Sequence, residues 1–598
     1  MKSGAAILNA VRDKMQSIPV HAFLVPSSDS HNSEYVASHL QRRAFLTNFK
    51  GSAGIAVITQ EKALLWTDGR YWIDAAEFLY PEFQLMKQGH PDVLSIEDWI
   101  VKEIGTSAVV GIDPYSCTIA EWERLSKKIT LKAMEDVVSP MMSSEHAPEP
   151  LYRRPVEYSG ATVAERRAMI VAELEKQRCD LTVLSSLDEV AWLTNLRGRD
   201  VPYNPVFYAY AIVDKATPKI RVYVDLAKVT PTVRDECASE VEFFPYDTLV
   251  PTLQELPEGQ VVLLDERQTS QAVYHVLTER NLSVKRVGCG CVQSLKAIKN
   301  DRELGGFRAC HVRDGAALTQ YLAWVYEQVA VKGVTSLNEY EAAKRLEEYR
   351  ASDAWFLQPS FGTISAAGAN AAICHYAPSP TRCAILRRDQ LYLVDSGAQY
   401  WDGTTDVTRT ISFDKPRDEE REAYTRVLKG HIALNEVIFP KGTGGHRLDA
   451  LARLALWQVG LDYPHGTGHG VGSFLCVHEG PHGIGSRPMP TGATIDLHCI
   501  VSNEPGYYKE GSFGIRIENL EEIVLQPTKY SEDGFLTLSY LTMVPLCREL
   551  IDVNLLTQRE LDWVNVYHAT VVDKLEPKLR ERGDERAIAY LKHHTQPI

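Results

Sequence analysis

The sequence has no apolar run close to the roughly 18 residues that a membrane-spanning helix needs. It also has no excess of basic residues, since 64 lysines and arginines stand against 78 aspartates and glutamates, a formal net charge of −14. A protein that binds nucleic acid by neutralising its phosphates needs a basic face. We therefore expect neither a membrane nor a nucleic acid among the partners of this protein.

Paired cysteines are missing as well. The 11 cysteines are scattered and odd in number, none lies in a Cys-x-x-Cys motif, and the close pair Cys289 and Cys291 has no second pair after it. This argues against a thiolate zinc site. The start of the sequence also lacks a secretory signal, because charged residues interrupt its first apolar stretch. These features predict free thiols in a reducing compartment and a cytoplasmic location.

The length of 598 residues exceeds the roughly 300 residues of a single hydrophobic core. Helical and strand patterns alternate around the apolar run 22–25, and after a polar linker at 143–150 a similar cycle surrounds the run 181–184. This similarity indicates a duplicated α/β domain. A charged stretch at 294–303 then leads into a helical pattern that extends to about Ala330. The predicted domains are two α/β domains at 1–155 and 156–297 and a domain at 298–598 that contains the candidate chemistry.

Two aspartates follow strand patterns in this third domain. Asp395 ends the first strand pattern and Asp406 begins the second. A two-residue turn at 402–403 would place Asp395 opposite Thr410. It would place Asp406 opposite Gln399, so the two carboxylates would meet only in a wider or bulged connection. Taken alone, the pair is more typical of two unrelated loop residues.

Two glutamates form a second acidic pair. Glu504 and Glu518 are symmetric about Gly511, so an antiparallel hairpin turning there places their carboxylates side by side. Like charges directly opposite each other are destabilising and need a shared proton or a cation. Because the domain contains two acidic hairpins, we favour the cation.

A glycine-rich segment with two histidines lies between the acidic pairs. His465 and His469 have the spacing of a helical zinc pair, but four glycines within residues 465–472 rule out a stable helix. The Lys-Ser/Thr that would close a phosphate-binding loop is absent. We predict a loop or extended strand whose backbone approaches a neighbour closely.

Counting charges favours a binuclear metal centre. Two divalent cations would neutralise the four carboxylates, and one histidine would complete the ligand set. Oxygen-rich ligands with one imidazole and no thiolate favour manganese or another hard divalent ion. Such a pair of ions would activate a water molecule and polarise a substrate carbonyl.

Together these motifs resemble the pita-bread metallopeptidases, and specifically the long, cytosolic, three-domain aminopeptidase P (X-Pro aminopeptidase) family. The resemblance extends over nearly the whole chain. The motifs that carry it are GSAG at 51–54, WTDGRY at 66–71, DEVAWL at 188–193, NPVF at 204–207, VDSGAQY at 394–400, HGTGHGVG at 465–472, EPGYY at 504–508, GIRIEN at 514–519 and TQPI at 595–598.

The resemblance implies two creatinase-like α/β domains followed by a pita-bread catalytic domain of mixed α and β structure. It implies a homodimer joined through the C-terminal domain, and a hydrolase that removes the first residue of peptides with proline at the second position. The five implied ligands of two divalent metal ions are Asp395, Asp406, His469, Glu504 and Glu518, with Asp406 and Glu518 bridging.

The resemblance also assigns roles to residues around the metals. Glu504 would double as the proton shuttle. His375 and His478 would contact the substrate and the developing intermediate, and His465 would line the proline side of the pocket. Arg516 and Tyr508 would orient the first aspartate, Asp395.

Three alternatives stay open. A prolidase shares the ligands but hydrolyses X-Pro dipeptides and is usually shorter. A non-catalytic pita-bread binding module generally loses the ligands, and a metal-free hydrolase of the creatinase type leaves the four acids unexplained. The sequence also departs from the family at Asn503, where an acidic residue is usual, and at Asp496 and His498. These changes affect no ligand, but they leave the fine substrate preference open.

Overall fold

The computed structural model describes residues 4–142 and 148–598, so residues 143–147 of the predicted linker lie outside the described residues. The chain divides into two compact units. The first comprises Met1–Arg154 and Ala161–Leu295, and the second comprises Pro155–Gly160 and Lys296–Ile598.

The first unit contains a six-stranded sheet in its N-terminal half. Its centre is the predicted run at 22–25, and apolar side chains such as Leu24 and Val57 are buried there. The strands, in spatial order, are Gln84–Lys87, Ala63–Thr67, Ile55–Thr59, Ala22–Pro26, Val109–Ile112 and Thr130–Ala133. The helices are Gly4–Gln16, Arg42–Thr47, Trp72–Phe78, Ile96–Glu103 and Ile119–Ser126.

A second six-stranded sheet follows in the same unit. Its strands, in spatial order, are Val241–Pro245, Ile220–Val224, Ala209–Asp214, Leu181–Leu184, Val261–Asp265 and Ser283–Val287. The helices are Val163–Gln177, Leu187–Thr194, Pro231–Cys237, Leu249–Gln254, Gln271–Glu279 and Cys291–Ala297.

The two sheets share one topology. In each, one central strand is antiparallel to one neighbour and parallel to the other, and these strands are Ala22–Pro26 and Leu181–Leu184. The outermost strands pair in parallel at both edges of both sheets. The predicted duplication of an α/β domain is confirmed by this match, and the two apolar runs compared in the sequence occupy equivalent positions.

The second unit combines long helices with antiparallel sheets. Its principal helices are Asp301–Tyr326, Glu339–Ala351, Asp418–Asn435, His446–Trp457, Gln558–Glu581 and Glu585–His594. Its largest sheet contains, in order, Phe439–Pro440, Phe535–Tyr540, Asn519–Leu525, Ile500–Asn503, Gly468–Gly470 and Glu479–Ile484. The remaining strands are Phe356–Pro359, Ile364–Ala367, Leu391–Ser396, Ala398–Tyr400, Gly403–Thr404, Val407–Ser412, Gly506–Lys509 and Phe513–Arg516.

The first long helix begins where the sequence predicts it. Asn300 caps the helix by accepting hydrogen bonds from the backbone of Arg302 and Glu303, and Glu303 returns a contact to the Asn300 backbone. The α-helix ends at Tyr326 and continues as one π-helical turn, Glu327–Val331, close to the predicted end at Ala330.

The described residues contain neither a membrane-spanning helix nor a disulfide bond. Within residues 4–142 and 148–598, no helix is both long and apolar enough to cross a membrane. All 11 cysteines are free, which confirms the prediction of free thiols, and seven of them are buried.

Candidate metal centre

The acidic residues of the second unit lie on two antiparallel hairpins, which we call the aspartate hairpin (391–412) and the glutamate hairpin (500–525). In the glutamate hairpin, Asn503 pairs with Asn519 and Gly506 pairs with Arg516. Both pairs have the register that the symmetry about Gly511 predicts, so that prediction is confirmed. Glu504 and Glu518 occupy the positions between these two paired segments and therefore lie opposite each other.

The aspartate hairpin has a different register from the predicted one. Tyr400 pairs with Gly403, so the turn consists of residues 401–402 instead of 402–403. Asp395 consequently pairs with Thr408, and the prediction that it faces Thr410 is wrong.

The facing residue predicted for Asp406 is also wrong, because Gln399 pairs with Thr404. Asp395 pairs with Thr408, and Asp406 lies two residues before Thr408 on the same strand. The two aspartates are therefore diagonal neighbours on the same face of the hairpin. No bulge is needed to bring them together.

Gly403 lies in a strand and packs closely against a helix. A Cβ at this position would lie 2.7 Å from Cys310 Sγ on the helix Asp301–Tyr326. The glycine therefore permits close packing of the hairpin on that helix, and its backbone freedom is not used in the turn itself.

The glycine-rich segment is extended, as predicted. His469 lies in the strand Gly468–Gly470, and both flanking glycines approach neighbouring backbone. A Cβ at Gly468 would lie 2.0 Å from the Ser502 carbonyl oxygen, and one at Gly470 would lie 2.1 Å from the Glu479 carbonyl oxygen. The glycines allow this strand to pack tightly, which directs the His469 side chain toward the acidic hairpins.

Three overlapping groups of metal-binding side chains converge here, and within each group the candidate ligand atoms lie within 4.8 Å of one another. The groups are Asp395 with Asp406 and Glu518, His469 with Glu504 and Glu518, and Asp406 with His469 and His478. The Nε2 atom of His469 is 3.4 Å from both Asp406 Oδ2 and Glu504 Oε1. The structure thus brings together all five residues that the resemblance implies as ligands.

The electrostatics of the cluster favour a bound cation. Burial, with the negative charge of Asp406, raises the pKa of Asp395 to about 6 although Arg516 opposes the shift. Burial and the charge of Asp406 also raise the pKa of Glu518 well above its ordinary value. The Oδ1 atom of Asp395 is buried without a hydrogen-bond partner. Four carboxylates with an unsatisfied oxygen fit divalent metal ions with a preference for oxygen ligands.

The pKa of His469 is raised, because the surrounding carboxylates stabilise a positive charge on its ring. Burial lowers it, but the hydrogen bond with Asp406 and the charge of Glu504 outweigh burial and raise it to about 9. Its Nδ1 atom is 2.9 Å from the Gly470 carbonyl oxygen, which fixes a proton on Nδ1. The Nε2 atom is therefore the one oriented toward the carboxylates.

Arg516, Tyr508 and His465 form a hydrogen-bonded chain that ends on Asp395. Arg516 donates to Asp395 Oδ2 at 2.6 Å and to the Tyr508 hydroxyl oxygen at 2.7 Å. The Tyr508 hydroxyl is 2.8 Å from His465 Nε2, and His465 Nδ1 is 2.7 Å from the Gly466 carbonyl oxygen. Donors and acceptors alternate along this chain if His465 is neutral, and burial lowers the pKa of His465 to about 4.

The other two predicted histidines have different surroundings. The ring of His478 packs edge-on against His469 with centroids 4.4 Å apart. Among the described residues, His375 lies outside the three ligand groups. It is half-buried and follows the 3₁₀ turn Gly368–Ala372, which packs against the strand Phe513–Arg516 of the glutamate hairpin.

Sequence reasoning missed two hydroxyl groups that hold the carboxylates. Thr408 donates to Glu518 Oε2 at 2.7 Å and accepts a hydrogen bond from Arg516 Nε. Ser502 donates to Glu504 Oε1 at 2.9 Å and accepts from the backbone of His469. Both side chains lie on strands next to predicted ligands, so the correct register would have revealed Thr408 as the partner of Asp395.

A buried arginine, Arg409, holds the backbone at Glu518 by hydrogen bonds. Arg409 donates to the Glu518 carbonyl oxygen at 2.7 Å and to Asn519 Oδ1 at 2.8 Å. It also reaches the hydroxyl of Tyr567 on the helix Gln558–Glu581. The backbone around Glu518 is therefore tied to the helical part of the unit.

The chain matches four family models. Two matches are to the creatinase/prolidase N-terminal domain, at residues 8–141 and 142–303. Metallopeptidase family M24 matches residues 305–524, and the C-terminal region of peptidase M24 matches residues 534–598.

Individual proteins are similar over the full length. A probable Xaa-Pro aminopeptidase P of Laccaria bicolor is 43% identical, with 99% of this chain and 93% of that protein covered. One of Pyricularia oryzae is also 43% identical, with 99% and 98% covered. The crystal structure of X-prolyl aminopeptidase from Caenorhabditis elegans, described as a cytosolic enzyme with a di-nuclear active site, is 36% identical and covers both chains completely with a TM-score of 0.95. These matches confirm the predicted fold class of two creatinase-like domains followed by a pita-bread catalytic domain.

Proposed function

Since this chain belongs to the aminopeptidase P family of the M24 metallopeptidases, we propose that it is a metal-dependent aminopeptidase that removes the first residue from peptides with proline in second position. One observation carries the proposal. Five metal-binding side chains form overlapping groups whose candidate ligand atoms lie within 4.8 Å of one another, in a chain that is similar over its full length to Xaa-Pro aminopeptidases P.

We assign the metal ligands to Asp395, Asp406, His469, Glu504 and Glu518, with Asp406 and Glu518 shared between two ions. The overlapping ligand groups and the raised pKa of Asp395 support this assignment. The oxygen-rich donor set supports manganese as the metal. When bound, the two ions supply polarisation of the scissile carbonyl and a water of lowered pKa.

Glu504 is our candidate proton shuttle. It is partly exposed, and the Ser502 hydroxyl donates to its Oε1 atom, which helps to fix the orientation of the carboxylate. In this position Glu504 would accept a proton from the attacking water and deliver it to the departing nitrogen. The nitrogen of an X-Pro bond carries no hydrogen, so delivery of a proton there is the step that makes proline a leaving group.

The histidines complete the substrate pocket in this proposal. His478, next to His469, and His375 would contact the substrate around its scissile carbonyl. Neutral His465 would line the proline side, held by Tyr508. Arg516 and Tyr508 would hold Asp395 in the orientation that the metal requires.

We also propose a homodimer joined through the catalytic domain. Large apolar side chains are exposed at the end of the helix His446–Trp457, where Leu454 is 53% and Trp457 48% accessible, and Val459 follows at 43%. Leu454 and Trp457 are three residues apart and share one face of the helix. An exposed apolar cluster of this kind is typical of a protein interface.

A cytoplasmic location is proposed on two grounds. The similar nematode enzyme is described as cytosolic, and the free, mostly buried cysteines fit a reducing compartment.

Comparing a tripeptide X-Pro-Y with the dipeptide X-Pro tests the proposed activity against the prolidase alternative. The proposal predicts release of X from the tripeptide, little hydrolysis of the dipeptide, and loss of activity in a chelator. Activity on the dipeptide alone would establish a prolidase. Unchanged activity after complete removal of metal would refute the metal-dependent mechanism.

A further inference from the structure

A second cluster of metal-binding side chains lies in the second unit, built from residues other than the acidic centre. Glu549 belongs to the 3₁₀ turn Arg548–Leu550, and His593 and His594 end the helix Glu585–His594. The candidate ligand atoms of these three residues lie within 4.8 Å of one another.

Each histidine nitrogen lies close to one oxygen of the Glu549 carboxylate, at separations near those between neighbouring ligands of one tetrahedral ion. His593 Nε2 is 3.2 Å from Glu549 Oε1, and His594 Nδ1 is 3.1 Å from Glu549 Oε2. Ligands that lie about 2.0–2.2 Å from a tetrahedral zinc ion are about 3.4 Å from each other. The observed separations are slightly shorter than this spacing, so the side chains would have to move apart slightly to accommodate an ion.

Burial and packing fix part of this cluster in advance. The side chain of His594 is 2% exposed, and its ring packs against Tyr590 with centroids 4.1 Å apart. Its Nε2 atom has no hydrogen-bond partner among the described residues, so the neutral ring can carry its proton on Nε2 and offer the lone pair of Nδ1 to an ion. Glu549 and His593 are 32% and 55% exposed, which leaves a path for an ion to enter from solvent.

The donor set differs chemically from that of the acidic centre. The acidic centre has four carboxylates for one imidazole, whereas this cluster has two imidazoles for one carboxylate. Two histidines and a glutamate with an open fourth position are ligands that suit zinc, and imidazole ligands select against manganese and magnesium.

We propose that Glu549, His593 and His594 bind one zinc ion, with water as the fourth ligand. The ion would join two segments that are 44 residues apart in sequence. It would reinforce contacts that already hold residues 595–598, where Arg548 donates to Gln596 and the Asn565 side chain exchanges hydrogen bonds with Ile598. The TQPI motif at 595–598, to which the catalytic proposal gives no role, would thereby be held in place.

Counting bound zinc tests this site. The full-length protein is incubated with zinc chloride, separated from free metal by gel filtration, and its zinc content is measured by plasma mass spectrometry. We expect His593→Ala and Glu549→Gln each to bind one equivalent less than the unchanged protein. His593 is exposed and Glu549→Gln preserves shape, so neither change threatens folding.

The matched control is His275→Ala. His275 and Glu279 form a surface pair with a 3.1 Å separation but without a second histidine. This variant should bind as much zinc as the unchanged protein. The comparison is a difference of one equivalent, so it does not depend on how many ions the acidic centre holds or on whether the proposed peptidase activity is correct.

Hydrogen exchange provides a second readout. Zinc should slow amide exchange in the helix Glu585–His594 of the unchanged protein and of His275→Ala, but not of His593→Ala. Equal zinc content in all four proteins would overturn the proposal and leave the cluster as polar contacts between Glu549 and the two histidines. The proposal would also be overturned if His275→Ala lost as much bound zinc as His593→Ala and Glu549→Gln.

Discussion

The guanidinium of Arg516 donates a hydrogen bond to Oδ2 of Asp395 at 2.6 Å, and the two residues come from different hairpins. Both side chains are at least 89% buried. Arg516 simultaneously holds the Tyr508 hydroxyl and the Thr408 hydroxyl. One arginine therefore connects the aspartate hairpin with the glutamate hairpin and sets the orientation of a proposed ligand.

Arg516→Lys should weaken metal binding. A lysine keeps the charge, but its single nitrogen cannot reproduce the planar fork that reaches Asp395, Tyr508 and Thr408 together. We expect the metal concentration needed for half-maximal activity to rise about 10- to 100-fold. Arg417→Lys is the control, because the exposed Arg417 makes a similarly close pair with Glu420, a residue outside the acidic centre. An unchanged metal requirement in Arg516→Lys would contradict the positioning role.

Glu504→Gln should nearly abolish turnover. The amide keeps the shape and the hydrogen bond from Ser502 but cannot transfer a proton, so we expect kcat to fall about 10²- to 10⁴-fold. Metal content and thermal stability are measured in parallel to separate this effect from loss of the centre. Glu510→Gln, at the exposed turn of the same hairpin, should retain full activity. Normal turnover by Glu504→Gln would exclude it as the shuttle.

Glu521 should make the protein less stable in alkaline solution. Burial raises its pKa to about 8, although hydrogen bonds from Asn503 and Asn435 oppose the shift. Between about pH 4.5 and pH 8 the folded chain keeps a proton that the unfolded chain loses, so the free energy of unfolding falls as pH rises through that range. The buried amide of Asn503 donates to Glu521 Oε1 at 3.1 Å, and a glutamine would accept the same bond.

Thermal unfolding of Glu521→Gln measures this effect. The variant should be as stable as the unchanged protein near pH 5 and more stable near pH 8, by an amount on the order of 2–4 kcal/mol. A stability difference that does not vary with pH would show that Glu521 does not carry the buried proton.

Trp457→Arg should shift the protein toward monomers. A charge in the centre of an apolar interface leaves an unpaired buried cation and costs several kcal/mol. Sedimentation at several protein concentrations measures the change. Val566→Arg is the control, because Val566 is also an exposed apolar residue, 61% accessible, on a different helix. Identical sedimentation of Trp457→Arg and the unchanged protein would argue against this surface as the interface.

The sequence predicts most where local symmetry is strong. The register of the glutamate hairpin followed from two glutamates spaced evenly about one glycine, and the α/β duplication followed from two similar cycles. The predicted register of the aspartate hairpin is wrong by one residue because a glycine in a hairpin suggests a turn, whereas Gly403 lies in a strand. Its actual function, contact with Cys310 Sγ, depends on a helix distant in sequence and could not be seen from the hairpin alone.

The polar side chains that hold the carboxylates of the acidic centre could not be predicted from the sequence either. Thr408, Ser502 and Arg409 acquire their roles only when strands and helices far apart in the chain meet. The Asn503 position illustrates the same limit. Its departure from the family pattern was visible in the sequence, but its partners, the backbone oxygen of His431 and the carboxyl of Glu521, emerge only from the fold.

Restoring the metal-free protein with measured amounts of manganese tests the central claim most directly. Chelated protein should not cleave an X-Pro-Y peptide, and activity should return in proportion to added manganese until about two equivalents are bound. The only products should be free X and the dipeptide Pro-Y. Full activity in the metal-free protein, or cleavage at any bond other than the first X-Pro bond, would contradict the account.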